Sequence, residues 1–280
     1  MKITISKFAG FCPGAKRAYD FTIDSAKNNK NLHILGDLLH NNDIINKINS
    51  IGVKKVDSVK EVKNGKLIIT AHGDKKIIFD QAKEKNIEII NTTCPKVIKI
   101  QQIVKKFHKD GLPIIIFGDK NHKEVRAING WCDDKAIIIN NQEDLDKLNS
   151  KKLENAIIVS QTTQRSSIFE KISTELSEKI KNVRVFDTIC DATKNRQDEV
   201  KKIAKKNDGV IVIGGKNSAN SKKLFEISSN LNPKTFFIEN IKELNHKALE
   251  GLKSIGITAG ASTPDWVIQE IYLELKKYES

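Results

Sequence analysis

Residues 94–124, CPKVIKIQQIVKKFHKDGLPIIIFGDKNHKE, lie over residues 190–220, CDATKNRQDEVKKIAKKNDGVIVIGGKNSAN, at a shift of 96 with no gap. Gln101 meets Gln197, Val104 meets Val200, Gly118 meets Gly214, and Lys120-Asn121 meets Lys216-Asn217. Self-similarity at a fixed shift marks a repeated structural unit. A third copy keeps the same spacing. Cys12 is followed by Gly36 at +24, as Cys94 is by Gly118 and Cys190 by Gly214. At +28 stand His40, His122 and Ser218; at +30 stand Asn42, Glu124 and Asn220. Cys132 falls outside the pattern, because Ser50 and Ser228 occupy its equivalents. Spacing selects three cysteines and rejects the fourth.

The periodicity around each cysteine repeats as well. A β-rich run precedes each one: KITIS before Cys12, IEIIN before Cys94, VRVFD before Cys190. Apolar residues at helical spacing follow, at Val97, Ile100, Val104 and Phe107 in the middle copy. Then come a buried-type strand (LHILG, PIIIFG, VIVIGG) and a second helical pattern, clearest at Leu224, Ile227 and Leu231. Another apolar strand ends in a polar group: LIITAHG at His72, AIIVSQTT at Thr162, SIGITAGAS at Ser262. A helix such as SSIFEKISTELSEKI completes the unit. Strands alternating with helices predict an α/β fold with mostly parallel sheets. The expected units are residues 9–93, residues 94–189, and residues 190–280 completed by a strand at 2–8. That last strand is assigned to the third unit because the chain runs out before a closing strand appears there. Parallel sheets bind ligands beyond the carboxyl ends of their strands. The cysteines, the +28 set and the His72/Thr162/Ser262 set all stand at such ends. A pseudo-threefold arrangement of the three units gathers them at a central site.

Composition narrows the function. With 39% hydrophobic and 30% charged residues, the chain has a globular profile. Apolar runs such as Ile114-Ile115-Ile116-Phe117 are strand-sized, so no membrane helix is expected. The N-terminus has no secretory or transit pattern, so the expected location is the cytoplasm. The net charge of +13 comes mostly from lysines scattered along helical segments, and aromatic residues make up only 6%. No nucleic-acid partner is expected from that pattern. Four cysteines without an export signal or a C-x-x-C pair point away from disulfides and toward metal binding or catalysis. His33, His108 and His246 stand in ordinary strand or helix contexts and read as packing or surface residues. GGKNSANS lacks the G-x-x-x-x-G-K-[ST] pattern and is no nucleotide loop.

Three converging thiolates select zinc, copper(I) or an iron–sulfur cluster. A 4Fe-4S cluster normally takes four cysteines, so three leave one iron open. The surrounding histidines, hydroxyls, amide and carboxylate can bind a phosphate group and move a proton.

Nine motifs in order, GFCPGAKRA, LLHNN, TAHG, TTCPKV, NHKE, SQTT, DTICDATKNRQ, GGKNSANS and TAGASTPD, carry a resemblance that covers essentially the whole chain. The sequence resembles the 4-hydroxy-3-methylbut-2-enyl diphosphate reductases of the non-mevalonate isoprenoid pathway. The resemblance implies a trefoil of three α/β units around one 4Fe-4S cluster, held by Cys12, Cys94 and Cys190, whose open iron takes the substrate hydroxyl. It implies reductive dehydroxylation to isopentenyl and dimethylallyl diphosphates, with electrons from a ferredoxin or flavodoxin, in a monomer or weak dimer. It assigns the diphosphate to His40, His72, Ser218, Asn220 and Ser262, and the proton to Glu124, helped by Thr162 and His122. Two positions depart from the family. Ala219 stands where many relatives have a serine, so it offers the substrate only its backbone N–H. Lys123 stands where a proline is common, which bears on how the loop presents Glu124. No appended RNA-binding domain is expected. The alternatives are an iron–sulfur enzyme of the quinolinate synthase type and a non-catalytic redox-sensing module. The latter leaves Glu124 and the hydroxyl set without a role.

Overall fold

The computed structural model describes residues 1–149 and 153–277. A strand, β1 (Lys2–Ile5), opens the chain. After Cys12 come α1 (Pro13–Asn28), β2 (Leu32–Leu35), α2 (Asn42–Ser50), β3 (Lys54–Val56), β4 (Lys66–Ile69), α3 (Lys76–Glu84) and β5 (Glu88–Asn91). Cys94 leads into α4 (Pro95–Lys109), β6 (Ile114–Phe117), α5 (Lys123–Asn129), β7 (Ile137–Ile139), α6 (Gln142–Asp146), β8 (Asn155–Ser160), α7 (Ser166–Lys179) and β9 (Asn182–Val185). Cys190 leads into α8 (Asp191–Lys206), β10 (Gly209–Ile213), α9 (Ala219–Ser229), β11 (Thr235–Ile238), β12 (Ser254–Ala259) and α10 (Asp265–Lys276).

The strands form three four-stranded parallel sheets of one topology: β3-β2-β4-β5, β7-β6-β8-β9 and β11-β10-β12-β1. In the third sheet the place of β5 and β9 is taken by β1, with Lys2 opposite Ser254 and Ile5 opposite Ile257. The chain divides into two compact units. One contains Met1–Lys16, Leu39–Lys47 and Asp191–Ser280, with the third sheet; the other contains Arg17–Leu38 and Ile48–Cys190, with the first two sheets.

Strand alternation builds the cores. Ile115, Phe117, Ala156 and Ile158 of β6 and β8 pack on one face with Phe169, Ile172 and Leu176 of α7. Ile114, Ile116, Ile157 and Val159 face the other way, against Val104 and Phe107 of α4. Each fully buried side chain of this size contributes about 1.5–3 kcal/mol relative to exposure. Helices cover both faces, so the central strands are apolar throughout rather than alternating with polar residues. The helical face expected at Val97, Ile100, Val104 and Phe107 is buried. The face expected at Leu224, Ile227 and Leu231 is shorter than its pattern. Leu224 is buried, but α9 ends at Ser229 and Leu231 is exposed in the following turn. The edge strands β3, β7 and β11 add a fourth strand to each sheet that hydrophobic patterning does not separate from the loops.

Candidate active site

The turn into each cysteine is built from local sequence. Asn91 Oδ1 accepts the Thr93 N–H at 3.0 Å, and Asp187 Oδ1 accepts the Ile189 N–H at 3.2 Å. These Asx turns occupy equivalent positions in the 96-residue shift. Two residues before Cys94 and Cys190 a threonine hydroxyl clamps the neighbouring strand: Thr92 Oγ1 donates to Ile69 O at 2.6 Å, and Thr188 Oγ1 to Ser160 O at 2.8 Å. The first repeat has Gly10 there, two residues before Cys12, at φ +92, and a Cβ would lie 2.6 Å from Asp265 Oδ1. Its clamp comes from outside the turn. The buried Arg196 donates from its guanidinium to Gly10 O at 2.7 Å. The cysteines themselves are then pinned alike. Cys12, Cys94 and Cys190 donate their N–H groups to Ala261, Ala71 and Thr162 carbonyls, each at 3.0 Å. Each stands immediately before a helix. The Ala15 N–H lies 3.3 Å from Cys12 Sγ.

These hydrogen bonds set a register that spacing left one residue out. Thr162 corresponds to Ala71 and Ala261, whereas His72 and Ser262 correspond to Thr163. The same holds for His40. The caps of α5 and α9 are His122 and Ser218, but α2 is capped by Asn41, whose Oδ1 accepts the Ile44 N–H at 3.1 Å.

Within the larger compact unit the structure brings His72, His122, Glu124, Thr162 and Cys190 into one chain of contacts. The His72 and His122 rings meet edge to face, 5.7 Å between centroids. His122 Nδ1 accepts the Glu124 N–H at 3.1 Å, so a neutral ring carries its proton on Nε2. The buried Glu124 carboxyl accepts from the Thr162 N–H at 2.6 Å and from Thr162 Oγ1 at 2.7 Å. Burial pushes the Glu124 pKa up, and the two Thr162 donors oppose that rise by favouring the ionised form. The Thr162 carbonyl in turn holds the Cys190 N–H.

Within the other unit Ser262 Oγ donates to the His40 carbonyl at 3.3 Å. A Cβ at Gly215 would fall 2.3 Å from that same oxygen, so the close approach of the two turns requires glycine. Ser221 is clasped between Gly214 and Gly260, where Cβ atoms would lie 2.2 and 2.0 Å from its Oγ. Its N–H and hydroxyl both donate to Ser218 Oγ. Asn220 is 4% exposed, and neither its Oδ1 nor its Nδ2 has a hydrogen-bond partner. A buried amide left open in this way costs about 1–3 kcal/mol unless a ligand completes it. Ala219 occupies the first turn of α9 and brings only its backbone to this site.

The donor set fits a thiolate-bound cluster. Cys12, Cys94 and Cys190 are partly exposed and none is in a disulfide. Cys132 contrasts with them. It is fully buried, its thiol donates to the Asn129 carbonyl at 3.1 Å, and burial pushes its pKa up to about 11. His108 pairs with Asp133 at 3.1 Å and His246 lies 3.9 Å from Glu274, both on the surface. Sequence reasoning missed Thr92, Thr188 and Arg196. The 96-residue shift does superimpose the two threonines, so that signal was present. Among the described residues no helix is long and apolar enough to cross a membrane.

The LytB protein family matches residues 3–276. A 4-hydroxy-3-methylbut-2-enyl diphosphate reductase of Clostridium perfringens (strain 13 / Type A) is 43% identical over 281 residues, covering 98% of each chain. One of Clostridioides difficile (strain 630) is 42% identical over 273 residues, covering 97% of this chain and 98% of its own. Among solved structures, the E-1-hydroxy-2-methyl-but-2-enyl-4-diphosphate reductase from Plasmodium falciparum superimposes with a TM-score of 0.92 at 30% identity, over 98% of this chain and 87% of that one. A second, described as (E)-4-hydroxy-3-methyl-but-2-enyl diphosphate reductase, the terminal enzyme of the non-mevalonate pathway, gives 0.73 at 35% identity over 99% and 100%.

Proposed function

The chain belongs to the LytB protein family, and from that premise we propose that it catalyses the reductive dehydroxylation of (E)-4-hydroxy-3-methylbut-2-enyl diphosphate. The allylic C–O bond breaks, two electrons and two protons are taken up, and water leaves with isopentenyl or dimethylallyl diphosphate as product. Residues 9–93, 94–189, and 190–280 with the strand at 2–8 are its three repeats. The protein is an iron–sulfur enzyme of the cytoplasm. Cys12, Cys94 and Cys190 hold its cluster. When bound, a 4Fe-4S cluster supplies the electrons, renewed by a ferredoxin or flavodoxin, and one iron without a cysteine ligand.

The observation that carries this reading is the state of Glu124. A carboxyl group that is to deliver a proton near neutral pH needs a raised pKa and a fixed aim. Burial supplies the first, and the paired Thr162 donors supply the second. His122, through its Nδ1, holds the N–H of the same residue and so keeps the helix turn in place. The open amide of Asn220, with Ser218, Ser262, His40, His72 and the Ala219 N–H, receives the diphosphate. Charge-assisted hydrogen bonds to phosphate oxygens are the strong kind, about 1.5–3 kcal/mol each.

Anaerobic purification of single serine variants tests the ligand set. Cys12→Ser, Cys94→Ser and Cys190→Ser each lose most bound iron and sulfide together with turnover, whereas Cys132→Ser keeps both. Undiminished iron in any of the first three variants removes that cysteine from the ligand set.

A further inference from the structure

Lys123 stands between His122 and Glu124, at the first position of α5, where a lysine normally points into solvent. Here it does not. Its Nζ donates to the carbonyl of Leu35, the last residue of β2, at 2.6 Å. The next residue, Gly36, is at φ +73, and a Cβ there would lie 3.0 Å from Nζ, so the glycine leaves the ammonium its seat. Burial lowers the Lys123 pKa, and Arg126 and Lys55 add to the effect against the attraction of Asp74 and Asp37. An ammonium is not drawn into such a place by charge alone; the carbonyl hydrogen bond offsets its desolvation. The equivalent residue in the third repeat, Ala219, has no reach at all. There the eleven-residue α9 is locked by Ser221 between two glycines, while α5 has only seven residues.

We propose that Lys123 is a positioning residue for the reaction: its ammonium ties the first turn of α5 to the end of β2 and so holds the Glu124 carboxyl against Thr162. The inference rests on Glu124 being the proton donor. Lys123→Met keeps the length of the side chain and removes the tether. Its turnover per cluster falls about tenfold, with KM for the substrate within about twofold of wild type, because a misaimed acid costs rate rather than ground-state binding. In a Glu124→Gln background the same change has no further effect. Lys123→Pro separates aim from charge. Proline at the first helical position fixes φ, and His122, at φ −71 and ψ 137, already has the extended backbone that a following proline requires. That variant recovers turnover to within about threefold of wild type. Wild-type turnover in Lys123→Met, added loss in the Glu124→Gln background, or a proline variant as slow as the methionine one overturns the proposal. If Glu124→Gln itself turns over normally, the reading of Glu124 falls, and the tether is judged by hydrogen exchange. Amides of Lys123–Asn129 then exchange at least about tenfold faster in Lys123→Met than in wild type, and unchanged exchange overturns the tether.

Discussion

The first turns of α5 and α9 are the same structure put to different use. Both follow a glycine that ends a central strand, both are capped by the residue at +28, and both bury the residue at +30. Glu124 is closed, with both carboxyl oxygens engaged by Thr162. Asn220 is open, with both amide atoms buried and unmet. Thr162, which meets Glu124, corresponds in the third repeat to Ala261, which has no hydroxyl. One copy holds a buried carboxyl group between two donors, and the other leaves a buried amide without a partner.

The sharpest way to break this contrast is to remove the proton and keep the shape. Glu124→Gln retains an amide that can still meet Thr162, so iron content and substrate binding stay near wild type. Turnover falls at least about 100-fold, the scale of general acid–base catalysis. Single-turnover kinetics with a chemical reductant measure it, and a near-normal rate moves the acid elsewhere.

The next largest effect belongs to the open partner. Asn220→Ala weakens substrate binding roughly 5- to 100-fold, the loss of about 1–3 kcal/mol of hydrogen bonding. Thermal stability without substrate stays unchanged or rises, because an unsatisfied buried amide is gone. Calorimetric titration and a melting curve give the two readouts. A lower Tm with unchanged Kd identifies Asn220 as a structural residue.

The smallest effect is a stability slope. Burial raises the Glu124 pKa above its unfolded value, so the folded chain binds the extra proton. Stability from this group is therefore full below the unfolded carboxylate pKa and declines as pH rises through the higher folded value. Glu124→Gln has no such decline, and its Tm gains on wild type between acidic and mildly alkaline pH. A difference in Tm that is constant with pH means the folded pKa is not raised.

Much of this was legible from residues 94–124 and 190–220 alone. The shift of 96 pairs Cys94 with Cys190 and leaves out Cys132, the shared +24, +28 and +30 offsets add Cys12, and the periodicity of the strands and helices specifies parallel α/β sheets. It also assigns the opening strand to the last sheet, where β1 pairs with β12. Three kinds of feature escaped. The edge strands β3, β7 and β11 are three or four residues long, too short for a period to declare itself. Thr92 and Thr188 read as ordinary strand residues, although their hydroxyls clamp the turns to two cysteines. Thr162 was counted beside His72 and Ser262, because strand ends judged by apolar runs are uncertain by a residue and only the hydrogen-bond ladder sets the register.

What the sequence determined by itself was therefore the inventory: which cysteines, which polar residues at strand ends, and how many times the unit recurs. Those are local matters, decided by side-chain period and chain spacing. What tertiary structure alone decided was the state of each group. Glu124 and Asn220 share an offset, yet one is satisfied and the other is not, because Glu124 meets Thr162, 38 residues further along the chain, and Asn220 meets no such group. Lys123 stands out in the sequence only as a departure from a common proline, and the fold alone sets its ammonium on a carbonyl 88 residues away. Burial and hydrogen bonding depend on which groups meet across the fold, and no window of sequence contains both partners.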